Sequence, residues 1–136
     1  MSSFDYHVHT DLNLIEVHPV GVVQSSDILS YGQEALSLDI VTEGTIEYYD
    51  LSEMTKLDVD YESAWGLTGT LQEWLSRGWQ GSVFFTPRVY HFGMIRMLGA
   101  ITEMIQDAPA VVMVPRREPA ALGEVRDLIA EYRQIS

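Results

Sequence analysis

Two histidines near the N-terminus have the spacing of a metal-binding pair. His7 and His9 lie in the segment 4–10, which alternates polar and apolar residues as a β-strand does. Side chains at positions i and i+2 of a strand point to the same side, so two imidazoles placed this way can share a metal ion. His18 follows in a second alternating segment, 14–18. The three histidines therefore form a candidate site for Zn²⁺ or Ni²⁺.

The register of this predicted β-hairpin decides which side chains share the histidine surface. The segment 11–13 separates the strands, and a two-residue turn at Leu12 and Asn13 would place His9 opposite Glu16 and His7 opposite His18. The other side of the hairpin, facing the core, would carry Tyr6, Val8, Ile15 and Val17. The simpler interpretation is an exposed or interface-facing strand surface, on which any metal would bind adventitiously.

The same opening segment resembles the first motif of the PHP metallophosphoesterases. Those enzymes use several further His, Asp and Glu ligands on a much larger barrel, whereas only His18 and His91 remain here. The sequence has no cysteine, and no serine lies in a Gly-x-Ser-x-Gly elbow. We therefore expect a non-enzymatic protein without a cofactor, and a metal-dependent phosphoesterase stays as a third alternative.

Composition limits the classes of partner. The 136 residues suit one domain, and 46% of them are hydrophobic, enough for a packed core. The net charge of -12 disfavours nucleic acid and anionic membranes, because both are bound through Lys and Arg. The start of the sequence does not resemble a signal peptide, and the longest apolar stretch, 108–115, is too short to cross a bilayer. We expect a cytoplasmic protein.

The remaining sequence predicts helices that alternate with strands. The predicted elements are a helix at 27–38, a strand at 45–50, a helix capped by Asp58 or Asp60 and continuing to Leu75, a strand at 82–86, a helix carrying Met94, Met97, Leu98, Ile101 and Ile105, a strand at 110–114, and a helix after Pro119. The order ββαβαβαβα predicts an α/β fold. Residues 1–136 would form a single domain with one mixed sheet of about five strands, begun by the hairpin and covered by helices mainly on one face.

Three stretches stand out beside this element order: the hairpin 6–23, the segment 49–52 (Tyr-Asp-Leu-Ser) and the run 92–97. Together with the element order they resemble the STAS-like, or SpoIIAA-like, group of bacterial domains, which includes anti-sigma-factor antagonists. The resemblance implies a regulatory or protein-interaction domain. In the antagonists a phosphorylated serine lies at the start of the helix after the third strand. Here Val59 or Asp60 occupies that place and Ser63 is the nearest hydroxyl, so a clear phosphoacceptor is missing.

A second candidate surface lies where the parallel strands end. Ligands of open α/β sheets bind beyond the carboxyl ends of the strands, and a partner or ligand surface is expected at Asp50, Ser52, Asp60, Ser63 and Arg88. Arg88, beside a predicted helix start, could hold an anion. A homodimer is expected, because one-sided helical cover would leave aromatic strand residues exposed. The alternative function is a carrier of a small apolar or anionic ligand, which needs a cavity between helices and sheet.

Overall fold

Seven strands and four helices have defined bounds in the computed structural model, which describes residues 4–93, 95–96, 100, 111–113 and 118–135. The strands are β1 (Phe4–His9), β2 (Leu14–Pro19), β3 (Gly21–Gln24), β4 (Ile46–Asp50), β5 (Met54–Asp58), β6 (Gly81–Phe85) and β7 (Val111–Met113). The helices are α1 (Ser25–Ser37), α2 (Tyr61–Trp65), α3 (Thr68–Ser76) and α4 (Glu124–Ile135), with a 3-10 turn at Val89–His91. Residues 92–93, 95–96 and 100 are also helical.

Five strands form the main sheet in the order β1-β2-β4-β6-β7. β1 and β2 pair antiparallel as a hairpin, and every later pair in this sheet is parallel. β4 and β6, which are buried along most of their length, occupy the inner part of the sheet between β2 and β7. The predicted α/β class and mixed five-stranded sheet are confirmed.

Two local features differ from the sequence-based expectation. β3 and β5 form a separate two-stranded parallel sheet, because Pro19 ends β2 and Gly21, with a φ of 73°, turns the chain away. The single helix expected between β4 and β6 is two helices. α2 ends at the C-cap Gly66, and α3 starts at Thr68; glycine costs about 1 kcal/mol relative to alanine inside a helix, which favours the break there.

Most helices cover one face of the sheet. From α1, Tyr31 and Ala35 pack with Trp74 of α3 against Val17 and Tyr49 of the sheet, all within one buried cluster. The indole Nε1 of Trp74 donates a hydrogen bond to the Gly32 carbonyl at 3.0 Å. Gly32 also lets α1 lie close to α3, because a Cβ at this position would lie 2.8 Å from Cγ2 of Thr70 and would force a shift there.

The opposite face is covered by α4 over the central strands. Val125 and Ile129 of α4 pack against Leu14, Ile46, Tyr48 and Val83. Tyr48 is therefore buried, although an aromatic residue on this face was expected to be exposed and to favour dimerisation. Arg126 fixes α4 to the β1–β2 loop and the turn before β4, because its guanidinium donates to the carbonyls of Leu12 and Gly44 at 2.9 and 3.0 Å.

The helix predicted from the Met94 to Ile105 stripe is described only in part. Its Ile95 is 1% exposed and belongs to the cluster under α1. Outside the described residues lie the other members of the stripe, Met94, Met97, Leu98, Ile101 and Ile105. None of the helices in the described part of the chain has the length and apolar character needed to span a bilayer.

Two glycines provide a stability test with opposite signs. Gly78 has a φ of +106°, and a Cβ there would lie 2.5 Å from Cα of Glu43, whereas Gly69 in α3 has open space. Gly78→Ala should lower the free energy of unfolding by about 1–3 kcal/mol through backbone strain. Gly69→Ala should raise it by about 0.5–1 kcal/mol through helix propensity. Urea denaturation measures both, and a neutral Gly78→Ala would contradict the described turn.

Candidate functional site

The hairpin pairs in a register two residues away from the expected one. His9 lies opposite Leu14, His7 opposite Glu16, and Asp5 opposite His18. The predicted pairs were wrong because the turn is centred one residue earlier than expected: it spans residues 10–13, between the pair His9 and Leu14, and the amide of Leu12 donates to the carbonyl of His9 at 3.1 Å. A shift by an even number keeps every side chain on its face. The histidines and Glu16 therefore still share one surface, as predicted.

Glu16 lies between two imidazoles on this surface. Its Oε1 is 2.8 Å from Nε2 of His9, and its Oε2 is 2.6 Å from Nε2 of His18. Nδ1 of His18 is 3.8 Å from a carboxylate oxygen of Asp50. His7 is exposed beside them. We call His9, Glu16 and His18 the histidine–glutamate cluster.

The cluster is arranged around a carboxylate rather than around a metal ion. Both Nε2 atoms point to oxygens of Glu16, so the rings would have to turn before they could share a metal. Within the described residues, no group of three or more His, Asp or Glu side chains is arranged to hold a metal ion. Binding of Zn²⁺ or Ni²⁺ by His7, His9 and His18 stays a prediction.

The electrostatics of the cluster are set by Glu16. Partial burial of this carboxyl raises its pKa, but the hydrogen bonds from His18 and His9 outweigh burial and hold the pKa below its usual value. The folded state therefore favours the ionised carboxylate more than the unfolded chain does.

A second carboxyl, which the sequence analysis did not single out, is buried in the sheet centre. Glu47 in β4 is 3% exposed. Its Oε2 accepts hydrogen bonds from the hydroxyls of Tyr31 at 2.5 Å and Tyr49 at 2.8 Å, and its Oε1 accepts one from Ser82 at 2.5 Å. The available signal was an acidic residue between apolar and aromatic neighbours in a central strand, because charged side chains are almost never fully buried without partners.

Burial dominates the ionisation of this group. Removal from water raises the pKa of the Glu47 carboxyl, and the three hydroxyl donors only partly offset that rise. Burial and the nearby carboxylate also raise the pKa values of Tyr31 and Tyr49 far above their usual range. Both phenols therefore stay protonated and act as donors.

Glu47 lines a cavity of about 50 Å³ between the sheet and helices α1 and α3. The described lining residues are Ile28, Leu29, Tyr31, Gly32, Glu47, Tyr49, Leu67, Thr70, Leu71, Trp74 and Trp79. A second cavity of about 50 Å³, lined mainly by apolar side chains, lies on the same face and shares Ile28 and Tyr49 with the first. The ring of Tyr49 stacks on Phe84, with centroids 4.2 Å apart, and so forms a wall of the second cavity.

The carboxyl ends of β4 and β6 are joined by Arg88. Its Nη1 donates to the carbonyls of Ser52 at 3.0 Å and Met54 at 2.9 Å. The Thr86 hydroxyl lies 3.0 Å from Nδ1 of His91, which is buried and whose pKa burial lowers. Arg88 thus links the loop that follows β6 to the segment that connects β4 with β5.

Asp60 is the N-cap of α2. Its Oδ1 accepts a hydrogen bond from the Ser63 amide at 2.6 Å. This backbone bond is the main reason why the pKa of Asp60 lies below its usual value. The capping role predicted for Asp58 or Asp60 therefore belongs to Asp60.

No protein-family model matches the sequence, and no curated protein matches it significantly. Among solved structures, it is similar to an uncharacterized DUF3478-family protein with a SpoIIAA-like fold from Shewanella loihica PV-4. The identity is 12%, the TM-score is 0.55, and the match covers 93% of this chain and 91% of that chain. This chain has a SpoIIAA-like fold. Weaker similarity links it to the anti-sigma factor antagonist SpoIIAA in its unphosphorylated form (15% identity, TM-score 0.45, 96% and 97% covered) and to the Bacillus cell fate determinant SpoIIAA in its phosphorylated form (13%, 0.48, 96% and 99%).

The SpoIIAA-like fold brings the five predicted surface residues into two groups. Asp50, Ser52 and Arg88 meet where β4 ends, since the Ser52 amide also donates to Asp50 Oδ1 at 3.0 Å. Asp60 and Ser63 meet at the start of α2. Because Arg88 already donates to two carbonyls, the structure gives it a role in joining loops, and anion binding by Arg88 stays a prediction.

Removing the charge of Glu16 tests the histidine–glutamate cluster. Glu16→Gln should lower the free energy of unfolding by about 1–2 kcal/mol at pH 7, where two charge-assisted hydrogen bonds are lost. The lowered pKa makes this contribution fully present above the usual pKa of 4.5, and it should disappear as the pH falls through the folded-state value. Urea denaturation at pH 7 and pH 3 measures it, with Glu53→Gln on the exposed surface as control. Equal losses at both pH values would contradict the electrostatic origin.

Proposed function

We propose that this chain is a non-enzymatic, SpoIIAA-like binding domain that holds a small, mainly apolar ligand between its helices and its sheet. One observation carries the proposal: a buried carboxyl, Glu47, lines an aromatic cavity on the face of the sheet that α1 and α3 cover. A ligand site is typically a concave, mostly apolar space with a few placed polar groups. The cavity beside Glu47 has this composition.

The cost of burying Glu47 supports a role beyond packing. An ionisable group removed from water costs several kcal/mol unless hydrogen bonds compensate it. An apolar side chain at position 47 would fill the interior without that cost. The protein instead supplies Tyr31, Tyr49 and Ser82 to hold the carboxyl beside a space that a ligand can occupy.

The same arrangement favours binding over catalysis. Ser82, the hydroxyl bound to Oε1 of Glu47, is 1% exposed, and Tyr31 and Tyr49 are also buried. Each of these hydroxyls donates to the carboxyl rather than standing at an open surface. We therefore propose that the groups fix the position of Glu47 and do not act as nucleophiles.

Filling the cavities tests the binding function. Ile28 lines both cavities, so Ile28→Phe should reduce their volume and displace a bound molecule. Native mass spectrometry of freshly purified wild-type protein should show an additional small-molecule mass that Ile28→Phe lacks. Val22→Phe, on the exposed side of β3, should retain it. A wild-type spectrum with the polypeptide mass alone, and no change in tryptophan fluorescence on titration with n-butanol, would contradict the proposal.

A second candidate function is docking of a protein partner, as the fold resemblance suggests. The observation that favours it is the exposed start of α2, where Asp60 is held by the Ser63 amide and carries a fixed negative charge. A partner with a basic surface would complement this charge and the net charge of -12. Self-association in the cytoplasm through the edge strand β1 belongs to the same proposal.

Asp60 offers a matched pair of variants for the docking function. Asp60→Asn retains an N-cap oxygen but removes the charge, whereas Asp60→Ser retains a smaller cap. Both should fold normally by circular dichroism, and both should lose capture of a partner from cell extract by about tenfold, since a rim charge contributes mainly to steering and specificity. Undiminished capture by Asp60→Asn would exclude this surface.

Light scattering tests the proposed self-association through β1. A strict monomer at high protein concentration would contradict it.

A further inference from the structure

Four aromatic rings surround one acidic group in the cavity between α1, α3 and the sheet. The rings belong to Tyr31, Tyr49, Trp74 and Trp79. Among the described residues that line this cavity, Glu47 is the one whose side chain can carry a formal charge at neutral pH. The remaining lining is apolar or, at Thr70, a neutral hydroxyl. The charge of the cavity is therefore zero or negative.

The rings form a connected group rather than scattered contacts. The ring centroids are 5.7 Å apart for Tyr31 and Trp74, and 5.6 Å apart for Trp74 and Trp79. The centroids of Tyr31 and Tyr49 are 6.4 Å apart. Aromatic faces carry partial negative charge and attract cations, most strongly when water is excluded. Groups of aromatic side chains are a common means of binding organic ammonium ions.

The carboxylate keeps capacity for one more hydrogen bond. An ionised carboxylate offers about four lone-pair positions, two on each oxygen. Oε2 of Glu47 accepts from Tyr31 and Tyr49, and Oε1 accepts from Ser82. One acceptor position on Oε1 is not used by these donors, so a ligand donor can be added without breaking the existing bonds.

From these observations we infer that the cavity binds the ammonium group of a small organic amine, with Glu47 as its counter-charge and the aromatic rings as its walls. The inference rests on the proposed binding function and names the class of its ligand. The cavity of about 50 Å³ has room for a group the size of about three water molecules. The adjoining cavity, which shares Ile28 and Tyr49, suits the alkyl part of such a ligand.

The same features disfavour an anionic ligand at this position. A carboxylate or phosphate would meet the Glu47 carboxyl in a space of low dielectric, where like charges repel strongly. The described lining offers no Arg, Lys or His to compensate it. The net charge of -12 also raises the concentration of cations near the protein surface and lowers that of anions.

Protonation of Glu47 links ammonium binding to pH. Burial raises the pKa of this carboxyl, whereas a bound cation stabilises its ionised form, so binding releases a proton. The groups that face Glu47 are Tyr31 from α1, Tyr49 from β4 and Ser82 from β6. The two phenols stay neutral because their own pKa values are raised. Affinity for the amine should therefore rise with pH until Glu47 is fully ionised.

Three ligands of equal chain length test the inference: n-butylammonium, n-butanol and butyrate. Binding is measured on the full chain by calorimetry and by fluorescence of Trp74 and Trp79, which line the cavity. Wild-type protein should bind n-butylammonium about tenfold more tightly than n-butanol, as expected for a cation held by aromatic faces and a charged acceptor. Butyrate should bind more weakly than n-butanol.

Glu47→Gln keeps the shape of the side chain and removes its charge. The preference for n-butylammonium over n-butanol should fall to within about twofold in this variant, and the rise of affinity with pH should be lost. Glu53→Gln, on the exposed surface, should retain both properties. If Glu47→Gln does not fold, the ranking of the three ligands by wild-type protein still decides the question.

The outcomes separate the two proposals. Tighter binding of butyrate or n-butanol than of n-butylammonium would overturn the amine inference and leave the binding function standing. Binding of none of the three ligands would overturn both. Selective binding of n-butylammonium that persists in a folded Glu47→Gln variant would assign the selectivity to another site and overturn the inference.

Discussion

The hydrogen bonds that Glu47 accepts join elements that are far apart in the chain. Tyr31 comes from α1, and Ser82 comes from β6, whose register places it directly opposite Glu47. If the buried carboxyl lost these donors, the folded state would be strongly destabilised. The docking position of α1 and the register of β4 with β6 are therefore specified together. Apolar contacts alone would accept a wider range of positions than this network does.

Alternation along the sheet gives its two faces different chemistry. Glu47 and Tyr49 face α1 and α3, while Ile46 and Tyr48 face α4. In the described part of the chain, α4 packs over the central strands. The hairpin end of that face therefore remains partly open, and the side chains of His9 and His18 are 32% and 36% exposed. A candidate ligand cavity and a candidate ionic surface thus lie on opposite sides of one sheet. Each can change without repacking the other.

Local sequence patterns predicted the main sheet better than they predicted the site. Period-two alternation and apolar runs located the hairpin, β4 and β6, because strand faces follow directly from side-chain order. β3 and β5 were missed, since such short strands carry little periodic signal. The role of Glu47 was missed for a different reason. Its partners Tyr31 and Ser82 are 16 and 35 residues away, and pairing across such distances leaves no local pattern.

The position of Arg126 has a consequence for folding during synthesis. Its guanidinium holds the carbonyl of Leu12, 114 residues earlier in the chain. Domains begin to fold from the N-terminus as the ribosome releases them, but the β1–β2 loop cannot acquire this contact until the ribosome has passed Arg126. The link between the β1–β2 loop and α4 can therefore form only in the last part of translation, after the strands of the hairpin have been made. The apolar side of the hairpin does not depend on this contact, because Val17 belongs to one buried cluster with Tyr31 of α1, which is synthesised long before Arg126.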